Sequence, residues 1–348
     1  MRSRLAMLTR TSAPVKGSSA LNSQLFAEHA PLFAEVAERI RAADRVNVVA
    51  HINPDADAIG SACALAKGLT ALGIDNDVYI GQPLPHPANM RTIPGVDEII
   101  YGETLPEDGL VVTVDCASAD RTGAFLVDVT DNPSRVIVID HHNTNPGFGD
   151  MNLIVESEST TTMIRELLDH LGVELDEDIA YCLYAGLVTD TGSFRWGTPR
   201  MHRLAAELMG YGLNTRQIAL DLMDTMSATD LQLMGAVLAE TQIIPVKGLS
   251  VAVLTIPTGL LARMSQPTVE AIIDYARALE GTDVGVVLKQ YSSKHWAMSL
   301  RSTVLNVSTV ARSLGGGGHK AAAGYSATGS RSEVVRDLLD ALPEPADR

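Results

Sequence analysis

Arg135–Asn145, RVIVIDHHNTN, runs four β-branched residues, Val136–Ile139, into an aspartate and two histidines. An unbroken apolar run of that kind suits a strand buried on both faces, as in a covered parallel sheet. The polar triplet that ends it then falls at the carboxyl edge of the sheet, where open α/β folds bind their ligands. A second run with the same form, Val111–Val114, stops on Asp115.

Working outward, RVNVVA, DVYIG and GLVVTV read as further strands, separated by helical segments. DAIGSACALAKGLTALG carries small and apolar residues at helical spacing and stops at Gly73; TTTMIRELLDHLG opens on hydroxyl residues and stops at Gly172. Strands alternating with helices predict an α/β domain, a mostly parallel sheet flanked by helices, over residues 21–198. Residues 199–240 read as a helical connector whose methionines pack rather than bind. From Thr241 the texture becomes hairpins, one around Lys247-Gly248 and one in VGVVLKQYSSKHWAMSLRS, with helices beside them. That predicts a smaller C-terminal α+β domain over 241–345. Residues 1–20, Arg/Ser-rich and free of acidic residues, read as a loose tail, with a transit peptide as the alternative.

The chain has 348 residues, is 46% hydrophobic and carries a net charge of −15. This balance opposes tracking of long nucleic acid and favours a short polyanion held by a few local cations. Cys63, Cys116 and Cys182 form no CxxC pair, which fits a reducing, cytoplasmic setting. No run of 18 apolar residues is present, so no membrane span is expected.

Four polar clusters converge on strand ends or on loops that reach them: His51, Asp55 and Asp57 in HINPDADAIGS; Asp115; Asp140-His141-His142; and Asp190 in GLVTDTGSF. Taken singly, each has an ordinary explanation. A strand-end aspartate is usually a cap, Asp57 is placed to be an N-cap, and a histidine pair can be an exposed corner. Taken together, so many carboxylates in one cleft would repel one another and protonate unless a cation neutralised them. Mixed Asp/His ligation without thiolate suits two divalent ions, Mn²⁺ foremost with Mg²⁺, Co²⁺ or Zn²⁺ as alternatives. Such a pair generates hydroxide for in-line attack on phosphorus.

These four motifs, with SLGGGGHKAAAG near the C-terminus, resemble the DHH phosphoesterase superfamily and its DHHA1 C-terminal domain. The resemblance covers nearly the whole chain beyond the first 20 to 40 residues. It is closest to the short-substrate, NrnA-type branch, whose members are oligoribonucleases and 3′-phosphoadenosine-5′-phosphate phosphatases, some of them cyclic- or linear-dinucleotide phosphodiesterases. By that resemblance His51, Asp55 and Asp115 would hold one metal. Asp57, Asp115, His141 and Asp190 would hold the other, with Asp115 bridging. His142 would act near the scissile phosphate as general acid or charge stabiliser, and Asp140 would orient the histidines. No motif residue is missing, which speaks against a non-catalytic nucleotide-binding module.

In GGGGH, the amides of Gly316, Gly317 and Gly318 are expected to line a concave anion site, with a flexible loop as the alternative. His319, Lys320 and a phosphate fork from Arg301 would add donors; the resemblance points to Arg301 and His319. In GSFRWGT, Arg195 is a candidate phosphate contact, while Phe194 and Trp196 are equally base-stacking or hinge residues. The expected substrates are short RNA oligonucleotides and small nucleotides, cyclic di-AMP included, with no long nucleic acid and no membrane, and with a homodimer allowed. An inorganic pyrophosphatase is the alternative enzyme. A processive single-strand exonuclease would need a further nucleic-acid-binding domain.

Overall fold

The computed structural model describes residues 25–344; the 1–20 tail lies outside the described residues. The first unit comprises α1 (Ala30–Arg41), β1 (Arg45–Ala50), α2 (Ala56–Ala71), β2 (Asp75–Ile80), β3 (Ile100–Tyr101), β4 (Leu110–Val114), α3 (Leu126–Asp131), β5 (Val136–Asp140), β6 (Met151–Ile154), α4 (Thr160–His170) and α5 (Glu177–Asp190). Its six strands are all parallel in the order β3-β2-β1-β4-β5-β6. The chain lays strands outward on one side of β1, then returns to build on the other. β1 and β4 therefore flank the point where the order reverses, the place where such sheets open a ligand crevice.

Every residue of β4 and β5 is buried, as the unbroken apolar runs require. On one face α2, α4 and α5 pack closely. Gly60 and Gly186 permit this: a Cβ on Gly60 would lie 2.3 Å from the Cys182 carbonyl oxygen. Gly73 and Gly172, both with positive φ, end the two helices read from the sequence.

Three helices follow, α6 (Pro199–Met209), α7 (Thr215–Leu222) and α8 (Ala228–Ala239). Leu204, Leu208, Ile218 and Leu222 join the core of the first unit, whereas Leu233, Met234 and Val237 of α8 join a core of the second. The break lies between α7 and α8, and Met201, Met223 and Met234 pack against these cores.

The second unit contains β7 (Gln242–Val246), β8 (Leu249–Ile256), α9 (Thr258–Leu261), α10 (Gln266–Ala278), β9 (Val284–Gln290), β10 (His295–Arg301), α11 (Val307–Ser313), β11 (Gly317–Gly318), β12 (Ala322–Thr328) and α12 (Arg331–Ala341). Its mixed sheet runs β11-β12-β10-β9-β8-β7, antiparallel except for β8 beside β9. Lys247 and Gly248, both at positive φ, form the tight turn that joins β7 to β8. The fold is the predicted α/β unit followed by a smaller α+β unit. Among the described residues no helix is long and apolar enough to cross a membrane.

Candidate active site

His51 leaves the end of β1 and Asp115 the end of β4, on either side of the reversal point. Asp115 has φ +60, an uncommon conformation for a side-chain-bearing residue and typical of functional sites. One of its oxygens, Oδ2, is 3.5 Å from His51 Nε2; the other, Oδ1, is 3.4 Å from His141 Nε2. His51 Nε2 also lies 3.6 Å from Asp55 Oδ2. His141 Nε2 lies 3.2 Å from Asp190 Oδ2 and 3.9 Å from Asp57 Oδ2. Of four donor groups among the described residues, His51/Asp55/Asp115 and Asp57/His141/Asp190 have Asp115 facing both, and Asp115/Asp140/His142 and His141/His142/His319 adjoin them. Neighbouring donors on an octahedral ion with bonds of about 2.1 Å stand about 3 Å apart. The spacing here is slightly wider, so the sets fit divalent cations.

The electrostatics agree. Burial, with the charge of Asp115 next, pushes the Asp57 carboxyl up to about 7. Burial and the neighbouring carboxylates Asp57, Asp55 and Asp115 likewise push Asp190 well up. Burial also opposes ionisation of Asp115, but hydrogen bonds to His141 and His51 outweigh it and hold that carboxyl well below its usual range. Burial would lower His51, yet Asp115 and Asp55 raise it to about 9. A cluster that must borrow protons to coexist is one that a cation relieves.

The supports were only partly foreseen. Asp55, not Asp57, caps α2: its Oδ1 accepts from the amides of Asp57 and Ala58, both at 3.0 Å. Asp57 is buried and instead faces the start of α4. Its Oδ2 accepts from Thr160 N at 2.7 Å, and its Oδ1 from Thr161 N at 2.9 Å and Thr161 Oγ1 at 2.7 Å. Thr160 Oγ1 donates to Asp115 Oδ1 at 2.9 Å. The hydroxyl run that marked a helix start is thus also the backing of two carboxylates; Ser159 alone caps the helix. Asp140 is fully buried, with Oδ1 2.8 Å from His142 Nδ1 and Oδ2 accepting from Asn145 Nδ2 at 2.7 Å. Asn145 also donates to the Cys116 carbonyl at 2.9 Å, joining the loops after β4 and β5.

The second unit closes over this centre. The His319 ring stacks on His142 at 4.3 Å and 21°, and Gly318 N donates to Thr144 Oγ1 at 3.3 Å. Arg301 lines the same cleft from β10, and its guanidinium has no carboxylate within 4.0 Å among the described residues. Gly316, Gly317 and Gly318 also line the cleft, but of the three amides expected to form an anion cradle those of Gly316 and Gly318 have partners within the protein. Gly316 N donates to Ala311 O at 2.8 Å, Gly318 N to Thr144, and His319 N to Ala322 O at 2.7 Å. Glycine is needed here for close approach, since a Cβ on Gly316 would lie 2.1 Å from Gly324 O. The segment is neither a nest nor a free loop; it pairs with β12.

Arg195 does not line the cleft. It lies over Trp196 at 5.0 Å, with its Nη2 3.7 Å from Asp274 of α10. Arg277 lies over the same ring at 5.1 Å, and Trp196 Nε1 donates to Asp190 O at 2.9 Å. Phe194 packs on Tyr184. Phe194 thus packs within the first unit, while Trp196 lies under guanidiniums from both units and also lines the cleft. Lys320 is exposed and not part of the cleft wall.

Residues 45–187 match the DHH family, N-terminal domain, and residues 248–344 match the DHHA1 domain. A relative from Thermus thermophilus is 33% identical over 90% of this chain and 94% of its own length. The chain belongs to the DHH family. It is a two-unit DHH/DHHA1 phosphoesterase. The Thermus relative is named a bifunctional oligoribonuclease and PAP phosphatase, NrnA. A Streptococcus mutans relative, 25% identical over 89% of this chain and 99% of its own, is named a probable enzyme of the same kind. A crystal structure of an exopolyphosphatase-related protein from Bacteroides fragilis shares the fold, with a TM-score of 0.78 at 22% identity, covering 90% of this chain and 95% of that one.

Proposed function

We propose that this phosphoesterase hydrolyses short oligoribonucleotides and linear dinucleotides to mononucleotides, and 3′-phosphoadenosine 5′-phosphate to AMP, with cyclic di-AMP as a further substrate. The observation that carries this reading is the cleft between the units, a cavity of about 1440 Å³ with the donor sets on one wall and Arg301 and His319 on the other. The names of the relatives support it over a pyrophosphatase.

In this reading His51, Asp55 and Asp115 hold one divalent ion, and Asp57, Asp115, His141 and Asp190 the other, Mn²⁺ foremost. Divalent ions held by these residues would supply hydroxide at neutral pH and polarise the phosphoryl oxygens. Asp140 fixes the His142 ring through Nδ1, which leaves Nε2 for the leaving oxygen. Arg301 neutralises a phosphate held against the second unit. Three free, buried cysteines are consistent with a cytoplasmic setting.

Substrate length tests the reading. A chain at −15 with few cleft cations can hold only a few phosphates. With Mn²⁺, kcat/KM is expected to peak at about two to four nucleotides and to fall with longer chains, since help from the clamp fades within about 8–10 Å at physiological salt. A rate that stays level out to about twenty nucleotides overturns it. His142→Ala is expected to retain Mn²⁺ affinity while losing roughly 100- to 10,000-fold in kcat, the range of general acid–base catalysis. Loss of bound Mn²⁺ in that variant, seen by metal titration, would make His142 a ligand instead.

A further inference from the structure

Arg121 was not among the cations expected to bind substrate. It sits on the short 3₁₀ segment Ala119–Phe125 after β4, half-buried, and lines the cleft on the wall that carries the donor sets. The segment is held firmly. Ile52 N donates to Arg121 O at 2.9 Å, and a Cβ on Gly123, at φ +66, would lie 2.3 Å from both Gly81 O and Ile52 Cγ2. No carboxylate lies within 4.0 Å of the guanidinium among the described residues. Its Nη2 is 2.9 Å from His51 Nδ1.

That contact competes with another. His51 Nδ1 is also 2.8 Å from the Ile52 carbonyl. An Nδ1 that carries hydrogen donates it to Ile52 and has no lone pair left for Arg121. His51 Nε2 is the atom that faces Asp55 and Asp115. A neutral imidazole that ligates through Nε2 carries its hydrogen on Nδ1 and donates it to a carbonyl. Arg121 would then present a donor to a donor. No carboxylate within 4.0 Å engages the guanidinium among the described residues, and Arg121 lines the cleft.

We propose that Arg121 is a phosphate-binding residue of the metal-side wall: with His51 ligating through Nε2 and its Nδ1 hydrogen given to Ile52, the guanidinium is left to the substrate phosphate. This rests on the phosphoesterase reading above. Arg121 and Arg301 then grip the substrate from opposite walls, Arg121 beside the reacting phosphorus and Arg301 farther along. A guanidinium suits the role, because its planar fork matches two phosphoryl oxygens. The place of the guanidinium beside the His51 ring also has a consequence of definite sign. A positive group at a ligand's ring opposes binding of a cation there.

The test uses Arg121→Gln in the full chain, with three measurements. Mn²⁺ affinity, titrated by electron paramagnetic resonance, is expected to hold or to tighten several-fold. Inorganic phosphate, titrated calorimetrically into the Mn²⁺-loaded protein, is expected to bind at least about tenfold more weakly than to wild type, as suits loss of a charge-assisted hydrogen bond. With a dinucleotide, kcat/KM is expected to fall about 100-fold, and added guanidinium ion to restore part of it in Arg121→Ala. A parallel loss of Mn²⁺ affinity and rate would make Arg121 a mere support for His51 and overturn the proposal. So would phosphate affinity equal to wild type. If wild type turns over no nucleotide, the substrate reading fails, while the phosphate titration still decides the role of Arg121.

Discussion

Asp115→Asn is expected to lower kcat/KM by about three orders of magnitude or more, about 4 kcal/mol of barrier, while leaving the fold intact. Asparagine is the informative replacement because position 115 has φ +60, which asparagine tolerates and alanine does not. The volume is conserved, so the buried neighbourhood need not rearrange. The chemistry is not conserved. One carboxylate oxygen faces His51 and the other faces His141, and Thr160 Oγ1 donates to the latter. An amide can offer an oxygen to one side only, and it sets an NH₂ against the other. Both donor sets share this residue, so both should weaken together, and the loss should exceed that from any ligand that serves one set. Circular dichroism and a Tm close to wild type would verify the fold, and Mn²⁺ titration would report the metals. More than roughly a tenth of wild-type turnover, a loss under about 1.4 kcal/mol, would contradict the bridging assignment.

What could be read in the sequence was what strand chemistry determines. Val136–Ile139 is apolar at every position and Val111–Val114 at every position but Thr113, a β-branched residue, so their burial and the location of Asp115 and Asp140 at the carboxyl edge of the sheet follow from pattern. The convergence of His51, Asp55, Asp57, His141 and Asp190 was legible for a related reason: carboxylates gathered at one edge need a common counter-charge. What could not be read depends on partners far away in the chain. Thr160 and Thr161 support Asp57 across a separation of more than 100 residues, and nothing local distinguishes them from an ordinary helix start. The glycines of GGGGH suggested free amides, but Ala323 and Gly324 of β12 offer so little side chain that Gly317 and Gly318 pair with them. Arg195 looked like a phosphate ligand because Asp274, its partner, lies in the other unit. Arg121 was not legible because the polar side chain it meets among the described residues is itself a candidate metal ligand.

Gly186→Ala is expected to damage the centre from behind. Alanine in mid-helix would ordinarily stabilise by up to about 1 kcal/mol. Here an added Cβ on α5 would lie 2.4 Å from Asp57 Oδ1, 2.5 Å from Thr161 Cγ2 and 2.7 Å from Thr161 Oγ1. Those are the atoms through which α4 holds the carboxylate. The helices cannot simply part, because α2 and α5 are in contact at Gly60 as well. Overpacking of this kind costs about 1–3 kcal/mol, and Asp57 should be the group that yields. Disturbing an outer support of a metal site weakens metal affinity or activity by about 10- to 100-fold. Two further substitutions separate that effect from plain instability. Gly60→Ala meets the Cys182 carbonyl at 2.3 Å, touches Thr161 only at Cγ2 at 3.3 Å and does not meet Asp57, so it should lower Tm with less loss of Mn²⁺ than Gly186→Ala. Gly235→Ala on α8 meets nothing within 4 Å and should be neutral or stabilising. If Gly186→Ala binds Mn²⁺ as wild type does while Gly60→Ala does not, Asp57 is not a ligand held from α4, and the second donor set must be redrawn around His141 and Asp190.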